Sequence, residues 1–228
     1  MQTGNLTLSV KNSWENLHSK ARFQPKYPSD HVVRFVFSNF PADFNKRKKI
    51  KILDLGCGAG CHTVFLAKEG FKTYATDISE NGINVTKKRL NEKKLKADLK
   101  KALMENQPFP DDFFDAVISF GVFYYNSGSG YKKAVDGLYR ILKEGGLAFI
   151  FTRTTDDYRF GKGKEIEKNT FVLDIEDTNE KGMQMHFLDK KDIRKIFKKF
   201  REIAVEKTET TFSNSKKKNS DWIITLKK

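Results

Sequence analysis

The sequence predicts an α/β protein built on a doubly wound, mostly parallel sheet of seven strands. From Ile50 onward, apolar segments of strand length alternate with segments whose apolar residues recur at helical spacing. The phrases AKEGF and LKEGGL each indicate a helix, a terminating glycine and a strand. A glycine-rich stretch at residues 52–63, ILDLGCGAGCHT, joins a strand directly to a helix. Because parallel strands need helical crossovers, helices are expected on both faces of the sheet.

Two amphipathic helices are expected before the sheet begins. The first covers residues 13–22, and its apolar face carries Trp14, Leu17, His18 and Ala21. The second begins after Ser29 or Asp30, either of which can cap it. Its apolar face carries Val32, Val33, Val36, Phe37 and Phe40. Pro41 and the basic run from Lys46 end this part of the chain.

The alternation of strands and helices follows in chain order. Strands are expected at residues 51–55, 71–77, 97–103, 114–120 and 146–152. Helices are expected between them at residues 61–69, 79–94 and 131–142. After residue 152 a polar segment interrupts the pattern, with strand-like parts at 170–175 and 183–188. The chain ends with a helix at 189–199 and strands at 201–208 and 221–227.

This order of elements predicts one domain over residues 1–228. We divide it into an N-terminal helical cap (1–48), a cofactor-binding half (49–152), a lid insertion after strand five (153–188) and a C-terminal helix and strand pair (189–228). The lid assignment rests on composition, because Gly161 and Gly163 flank a lysine and few large apolar residues occur over 153–169.

The composition is that of an ordinary globular protein with a strong positive charge. Of the 228 residues 38% are hydrophobic, the mean hydropathy is −0.60, and no apolar run is long enough to cross a membrane. The first residues lack a signal-peptide pattern, so a cytoplasmic location is expected. Lys and Arg number 43 against 29 Asp and Glu, a net charge of +14. The charge is spread over polar helix faces, which favours a solvated surface over a nucleic-acid track without excluding the latter.

Both cysteines of the chain lie in the glycine-rich turn. The C-x3-C spacing of Cys57 and Cys61 matches no zinc or redox motif, and no second Cys/His pair accompanies them. We therefore expect no metal site and no disulfide, and interpret both residues as small space-filling side chains.

The spacing of the glycines indicates which class of cofactor the turn can hold. The dinucleotide fingerprint G-x-G-x-x-G receives a pyrophosphate on backbone N–H groups at a helix N-terminus. Here Gly56, Gly58 and Gly60 give the spacing G-x-G-x-G. Cys61 stands where the third fingerprint glycine belongs. Asp54, two residues before the first glycine, would repel a pyrophosphate and attract an ammonium or sulfonium group.

The stretch DLGCGAG, residues 54–60, resembles the first motif of the Rossmann-like (class I) S-adenosylmethionine (SAM) methyltransferases. The following strand ends in YATDIS and places Asp77 where that family has an acidic residue that binds both ribose hydroxyls. QPFPDDFFDAVISFGVFYY and LYRILKEGGLAFI are similar to the family's segments around its fourth and fifth strands. The resemblance covers residues 50–152 well and the last two strands loosely. It implies the methyltransferase Rossmann-like fold, SAM as cofactor and S-adenosylhomocysteine (SAH) as product.

The resemblance also implies a set of cofactor-binding residues. They are Asp54, Gly56, Cys57, Gly58, Gly60, Asp77, Ile78, Leu103, Met104, Glu105, Ser119 and Phe120. In the family the acidic residue of the first motif helps to hold the amino group of the methionine portion. Family members often carry an Asp for the adenine amino group about five residues before the proline at 108, where this chain has Leu103. The adenine is then expected to be held by backbone groups around Leu103 and Met104, by apolar packing or by Glu105.

Methyl transfer from SAM requires few catalytic groups from the protein. Methyl transfer is an in-line displacement at an activated carbon, so the protein mainly supplies proximity and orientation. A base is needed only for an acceptor that is protonated at neutral pH. We take His186, on the lid, as the candidate base. Tyr124 and Tyr125 follow the fourth strand, where we expect one of them to face the site, and Tyr124 is the second catalytic candidate. His18 and His62 are interpreted as structural residues.

The expected function is methyl transfer from SAM to a small-molecule acceptor, with O- or N-methylation favoured, by a monomer or homodimer that binds no membrane. The basic residues Arg153, Arg159, Lys162 and Lys164 of the lid favour an anionic acceptor. The loop after the fourth strand reads SFGVFYY and lacks the (Asn/Asp)-Pro-Pro-aromatic motif of nucleic-acid amino methyltransferases, and neither cysteine follows a proline. The alternatives are an RNA or protein methyltransferase that docks through its basic surface, and a non-catalytic SAM-binding module.

Overall fold

A computed structural model describes residues 11–176 and 178–228, so residues 1–10 of the expected cap and Asp177 of the expected lid lie outside it. The helices are α1 (11–18), α2 (Asp30–Asn39), α3 (Phe44–Arg47), α4 (Cys61–Lys68), α5 (Glu80–Glu92), α6 (Gly128–Ile141) and α7 (Lys190–Ile196). The strands are β1 (Lys51–Leu55), β2 (Lys72–Asp77), β3 (Asp98–Lys101), β4 (Phe114–Phe120), β5 (Leu142–Arg153), β6 (Gly163–Glu167), β7 (Thr170–Leu173), β8 (Gln184–His186), β9 (Glu202–Phe212) and β10 (Lys217–Lys227). Short 3-10 turns cover Ala21–Phe23 and Phe123–Tyr125.

Seven strands form the main sheet in the order β3-β2-β1-β4-β5-β10-β9. The pairs among β1 to β5 are parallel, and β10 runs antiparallel between β5 and β9. The strand order reverses beside β1, which pairs with β2 on one edge and β4 on the other. A crevice opens at such a switch point beyond the carboxyl ends of the strands. The doubly wound, mostly parallel seven-stranded fold is confirmed.

Helices cover both faces of the sheet because successive apolar side chains of the central strands point to opposite faces. Ile52 belongs to a buried cluster with Val36 of α2 and Leu66 of α4. Its neighbour Leu53 belongs to the opposite cluster, with Leu138 of α6 and Ile193 of α7. Strands buried on both faces need apolar residues at successive positions, which explains Ile52, Leu53 and Leu55. In the described part of the chain, no helix is long and apolar enough to cross a bilayer.

The segment between β5 and α7 forms a second sheet of three antiparallel strands, β6-β7-β8. Strands β7 and β8 carry a packed cluster, in which Phe171 and Met185 join Leu17 of α1 and Tyr125. Strand β6 was not expected from the sequence, and all five of its residues are exposed. A core of this kind attaches β7 and β8 to the rest of the domain, whereas β6 and the described residues of the loop 174–182 bury little.

Several element boundaries differ from the sequence expectation, by four residues at the end of β9 (212 rather than 208) and at the start of β10 (217 rather than 221). Helix α1 ends at residue 18 rather than 22, because the backbone of Lys20 is extended and leads into the short turn Ala21–Phe23. Strand β5 begins at Leu142, directly after α6, and pairs with Phe114 before a shift in register.

Candidate active site

A cavity of ≈ 930 Å³ lies at the switch point, beyond the ends of β1 and β4. Its volume lies within the range of about 300–1,000 Å³ that small-molecule sites occupy. The turn 56–59, residues 102–105 and residues 120–122 form its floor and sides. Trp14 and Phe23 line it from the N-terminal segment, and Ile166 from β6. The cavity therefore combines the glycine-rich turn (the cofactor turn below) with side chains of the N-terminal segment and of β6, both outside the main sheet.

The glycines of the turn leave bare backbone where the chain passes other elements. Gly56 has φ +76°, and a Cβ on it would lie 2.4 Å from a methyl group of Val122. A Cβ on Gly60, with φ +78°, would lie 2.5 Å from the hydroxyl of Thr86. Both the left-handed conformation and the close approach require glycine. Gly56, Cys57 and Gly58 line the cavity, whereas Gly60 packs against α5 outside it.

The carboxylate of Asp77 ties the turn to the end of β2. Oδ2 accepts the N–H of Gly58 at 2.7 Å, and Oδ1 accepts the N–H of Ser79 at 2.8 Å. Asp77 lines the cavity and is 7% exposed. Burial raises its pKa, and these backbone hydrogen bonds and the imidazole of His18 oppose that shift. Each carboxylate oxygen keeps a further lone pair, so the group can still accept hydroxyl donors.

Asp54 lies beneath the turn and does not line the cavity. It is 1% exposed, and its Oδ2 accepts the hydroxyl of Thr63 in the first turn of α4 at 2.6 Å. Burial raises its pKa to about 7, a shift that the hydrogen bond from Thr63 reduces. In this position Asp54 fixes the turn to α4, and a contact with a ligand amino group would need a change in its side chain.

The residues expected around the adenine lie together on one side. Ile78, Leu103, Met104 and Glu105 all line the cavity, and Leu103 is 40% exposed. The carboxylate of Glu105 accepts the amide of Asn126 at 3.0 Å. An exposed leucine beside a cavity offers an apolar surface to a planar ring.

The N-terminal segment supplies an aromatic roof. Trp14 and His18 of α1 line the cavity together with Phe23 and Tyr125. The ring of Trp14 meets Tyr125 edge-on with centroids 4.8 Å apart, and lies 5.3 Å from the imidazole of His18. Sequence reasoning placed Trp14 and His18 in the core, since an apolar helix face does not reveal that it covers a cavity.

The structure places both expected catalytic residues behind the cavity wall. His186 on β8 is 8% exposed, its Nδ1 is hydrogen-bonded to Thr170 at 2.7 Å, and burial lowers its pKa to about 4. Tyr124 is 6% exposed. The guanidinium carbon of Arg153 lies over its ring, 5.2 Å from the ring centroid. Neither lines the described cavity, and nor does Ser119, which is 1% exposed, whereas Phe120 does. The neighbouring Tyr125 reaches the cavity instead.

Two of the four basic residues expected to meet the acceptor are held in buried ion pairs. Arg153 donates to both oxygens of Asp221, at 2.9 and 2.8 Å. Arg159 donates to Asp157 at 3.0 Å and to Glu180 at 2.6 Å. Of the four, Lys164 lines the cavity. A sequence shows where basic residues cluster but not which of them an acidic residue neutralises.

His62, the second residue of α4, lines the cavity beside Phe120, with ring centroids 5.2 Å apart. Its Nε2 accepts the backbone N–H of Ser29 at 3.2 Å, which places the proton of the neutral ring on Nδ1. Burial lowers the pKa of His62 to about 4. The ring therefore presents a neutral N–H donor across the physiological pH range.

We expect nitrogen-15 NMR to show His62 as the neutral Nδ1–H tautomer down to about pH 5. Its folded-state pKa lies below the value of about 6.5 for an unfolded chain, so its contribution to stability is complete above pH 6.5 and is lost as the pH falls towards 4. A His62→Phe variant should lose less stability between pH 7 and pH 5 than the parent protein. Protonation of His62 at pH 6.5 would contradict the lowered pKa, and a neutral Nε2–H ring would contradict the tautomer assignment.

Comparisons with known proteins agree with this geometry. Residues 52–146 match the model of a family described as a methyltransferase domain. Over 110 residues the chain is 34% identical to a ubiquinone/menaquinone biosynthesis C-methyltransferase of Pectobacterium carotovorum, covering 46% of this chain and 43% of that protein. Over 155 residues it is 25% identical to a ubiquinone biosynthesis O-methyltransferase of Rickettsia prowazekii, covering 67% of this chain and 60% of that protein. The matches thus span about half the length of these relatives.

A solved structure shares the fold over most of the chain. A SAM-dependent methyltransferase from Methanosarcina mazei superposes with a TM-score of 0.69 at 19% identity, covering 85% of this chain and 96% of that one. The family match covers the turn, β2 and β4, the elements that surround the cavity. Over residues 52–146 the chain is therefore similar to methyltransferase domains, and it shares the fold of a SAM-dependent methyltransferase.

Proposed function

We propose that the protein binds SAM in the cavity and transfers its methyl group to a small-molecule acceptor. The proposal rests chiefly on one observation: the bare backbone of 56–58 and the carboxylate of Asp77 face a single cavity at the switch point. These residues fit SAM, because the backbone admits close approach and the carboxylate has spare acceptors for hydroxyls. Ile78 and residues 103–105 would hold the adenine. SAM supplies an activated methyl group, and the protein supplies binding and orientation.

The cavity wall supports a planar acceptor. Trp14, Phe23 and Tyr125 offer aromatic surfaces, and Val122 and Ile166 add apolar ones. Rings stack or meet edge-on at little cost in conformational entropy. The two relatives reported above are named for quinone biosynthesis. We infer an aromatic or quinone-like acceptor, methylated on oxygen or nitrogen.

The charges that face the cavity are nearly balanced. Lys133 and Lys164 line it, and so do the three carboxylates of Asp77, Glu105 and Glu167. With Arg153 and Arg159 paired elsewhere, an anionic group on the acceptor would have only these two lysines to meet within the described wall. We propose that one acidic substituent is accepted there but that the ring provides most of the affinity.

The roof and the rim of the cavity come from the segments expected as cap and lid. Trp14 and Phe23 belong to the first, and Lys164, Ile166 and Glu167 to the second. We propose that the chain works as one domain in which β6 is the element that moves when the acceptor enters, since its residues are exposed.

Calorimetry with SAH tests the cofactor assignment. We expect SAH to bind the wild-type protein and NADH not to bind. A Gly58→Val variant that remains folded should not bind SAH, because φ is +52° at Gly58 and a branched side chain would enter the cavity. Incubation with SAM and a panel of phenols, quinols, amines and RNA, read by mass spectrometry, would identify the acceptor. Binding of NADH without SAH would overturn the proposal, and methylated RNA alone would replace the acceptor class.

A further inference from the structure

His18 of α1 is a buried imidazole in the wall of the proposed cofactor cavity. It is 6% exposed, and its Nδ1 has no hydrogen-bond partner among the described residues. Its Nε2 lies 3.1 Å from the position of a Cβ on Gly58, and its Nδ1 lies 2.9 Å from that of a Cβ on Gly82. Two glycines from different elements thus leave room for one ring, between the cofactor turn and the first turn of α5.

Contacts on both sides of His18 in the sequence hold its segment against α5 and the glycine-rich turn. Glu15 accepts the N–H groups of Glu80 and Asn81, at 2.7 and 2.9 Å, and so caps α5. Beyond His18, Arg89 of α5 donates to the carbonyls of Gln24, Pro25 and Ala59, at 2.8, 2.5 and 2.7 Å. Because these contacts all involve α5 or the turn, His18 is fixed relative to Asp77, which ends β2 just before α5.

The hydrogen-bonding capacities of His18 and Asp77 are complementary for a diol. A carboxylate only accepts, so each hydroxyl that donates to Asp77 keeps lone pairs that need a donor. A neutral imidazole has one N–H donor and one acceptor. Burial lowers the pKa of His18, and the nearby Asp77 only partly offsets this effect, so the ring is neutral near pH 7.

We propose that His18 binds the ribose of the cofactor together with Asp77. The inference rests on the proposed function, since it concerns SAM in the same cavity. Nδ1 is buried against Gly82 of α5, whereas Nε2 lies beside Gly58, which lines the cavity together with His18. A ribose hydroxyl that reaches Nε2 gives the imidazole a hydrogen-bond partner beside Asp77.

Calorimetry with two ligands separates ribose binding from packing. SAH and its 2′,3′-dideoxy analogue would be titrated into the wild type, His18→Phe, His18→Ala and the control Lys20→Ala, an exposed position in the same segment. His18→Phe keeps a ring against Trp14 but has no nitrogen. We expect this variant to bind SAH about 2- to 13-fold more weakly, the effect of one hydrogen bond, and to bind the dideoxy analogue as the wild type does. Lys20→Ala should bind both ligands normally.

Two results would overturn the inference. One is unchanged SAH affinity in both His18 variants, and the other is an equal loss of affinity for both ligands, which would indicate packing alone. Circular dichroism melts would show that the variants are folded, and His18→Ala provides the measurement if the phenylalanine variant is not. Failure of the wild type to bind SAH at all would instead refute the proposed function.

Discussion

Replacing Asp77 by alanine is expected to lower the affinity for SAH by at least about 100-fold, or ~3 kcal/mol. Two charge-assisted hydrogen bonds to the ribose are lost, at roughly 1.5–3 kcal/mol each. The N–H of Gly58, which donates to Asp77 at 2.7 Å, also loses its acceptor. The cofactor turn is then less firmly held at the end of β2, which adds to the loss. Isothermal titration of the folded variant with SAH measures the effect.

Asp77→Asn is the matched control for the alanine variant. The amide keeps the volume and one oxygen, so it can accept from Gly58 or from a ribose hydroxyl but has no negative charge. Its affinity for SAH should fall between those of the wild type and the alanine variant. An alanine variant that binds SAH as tightly as the wild type would remove Asp77 from the cofactor site.

Replacing Arg153 by methionine is expected to destabilise the protein by about 3–5 kcal/mol at pH 7.5. The guanidinium bonds both oxygens of Asp221 and lies 3.4 Å from Asp157, and the three side chains are 12%, 6% and 0% exposed. Methionine fills similar space but leaves two buried carboxylates without this cation. Arg34→Met is the control, since the side chain of Arg34 is 80% exposed in its pair with Asp30 and should contribute at most about 1 kcal/mol.

The loss in the Arg153 variant should depend on pH. Burial raises the pKa of Asp221 to about 6, although Arg153 lowers it, so this residue's contribution to stability is lost as the pH rises from about 4 through 6. Without Arg153 the pKa of Asp221 rises further, and the loss continues above pH 6. The gap between variant and wild type should therefore be wider at pH 8 than at pH 5. Urea unfolding at the two pH values measures it, and an equal gap would contradict this account.

The cofactor turn shows what the sequence determines directly. Its G-x-G-x-G spacing, the strand before it and the acidic residue at the end of the next strand are all local patterns. Left-handed backbone at Gly56 and Gly60 follows from residue type, because other residues are strained there. The alternation of strands and helices likewise determines the fold class, since each apolar face must be covered.

The position of Leu103 could also be foreseen from the sequence. It stands where the family often has an acidic residue, and the structure places it on the cavity wall, 40% exposed. The expected boundaries of the central strands agree with the structure to within one or two residues over β1, β2 and β4. These are elements whose pattern is long enough to be read without knowledge of their neighbours.

What only the tertiary structure decided is which side chains from distant segments reach the cavity. His18 has the helical spacing of a core residue, and its location over Gly58 depends on the docking of α1 on α5. Arg153 and His186 have the residue types of a site, yet contacts with Asp221 and Thr170 hold them in the interior. Side-chain periodicity records which face of an element is buried, but the partner on that face is set by contacts between residues far apart in the chain.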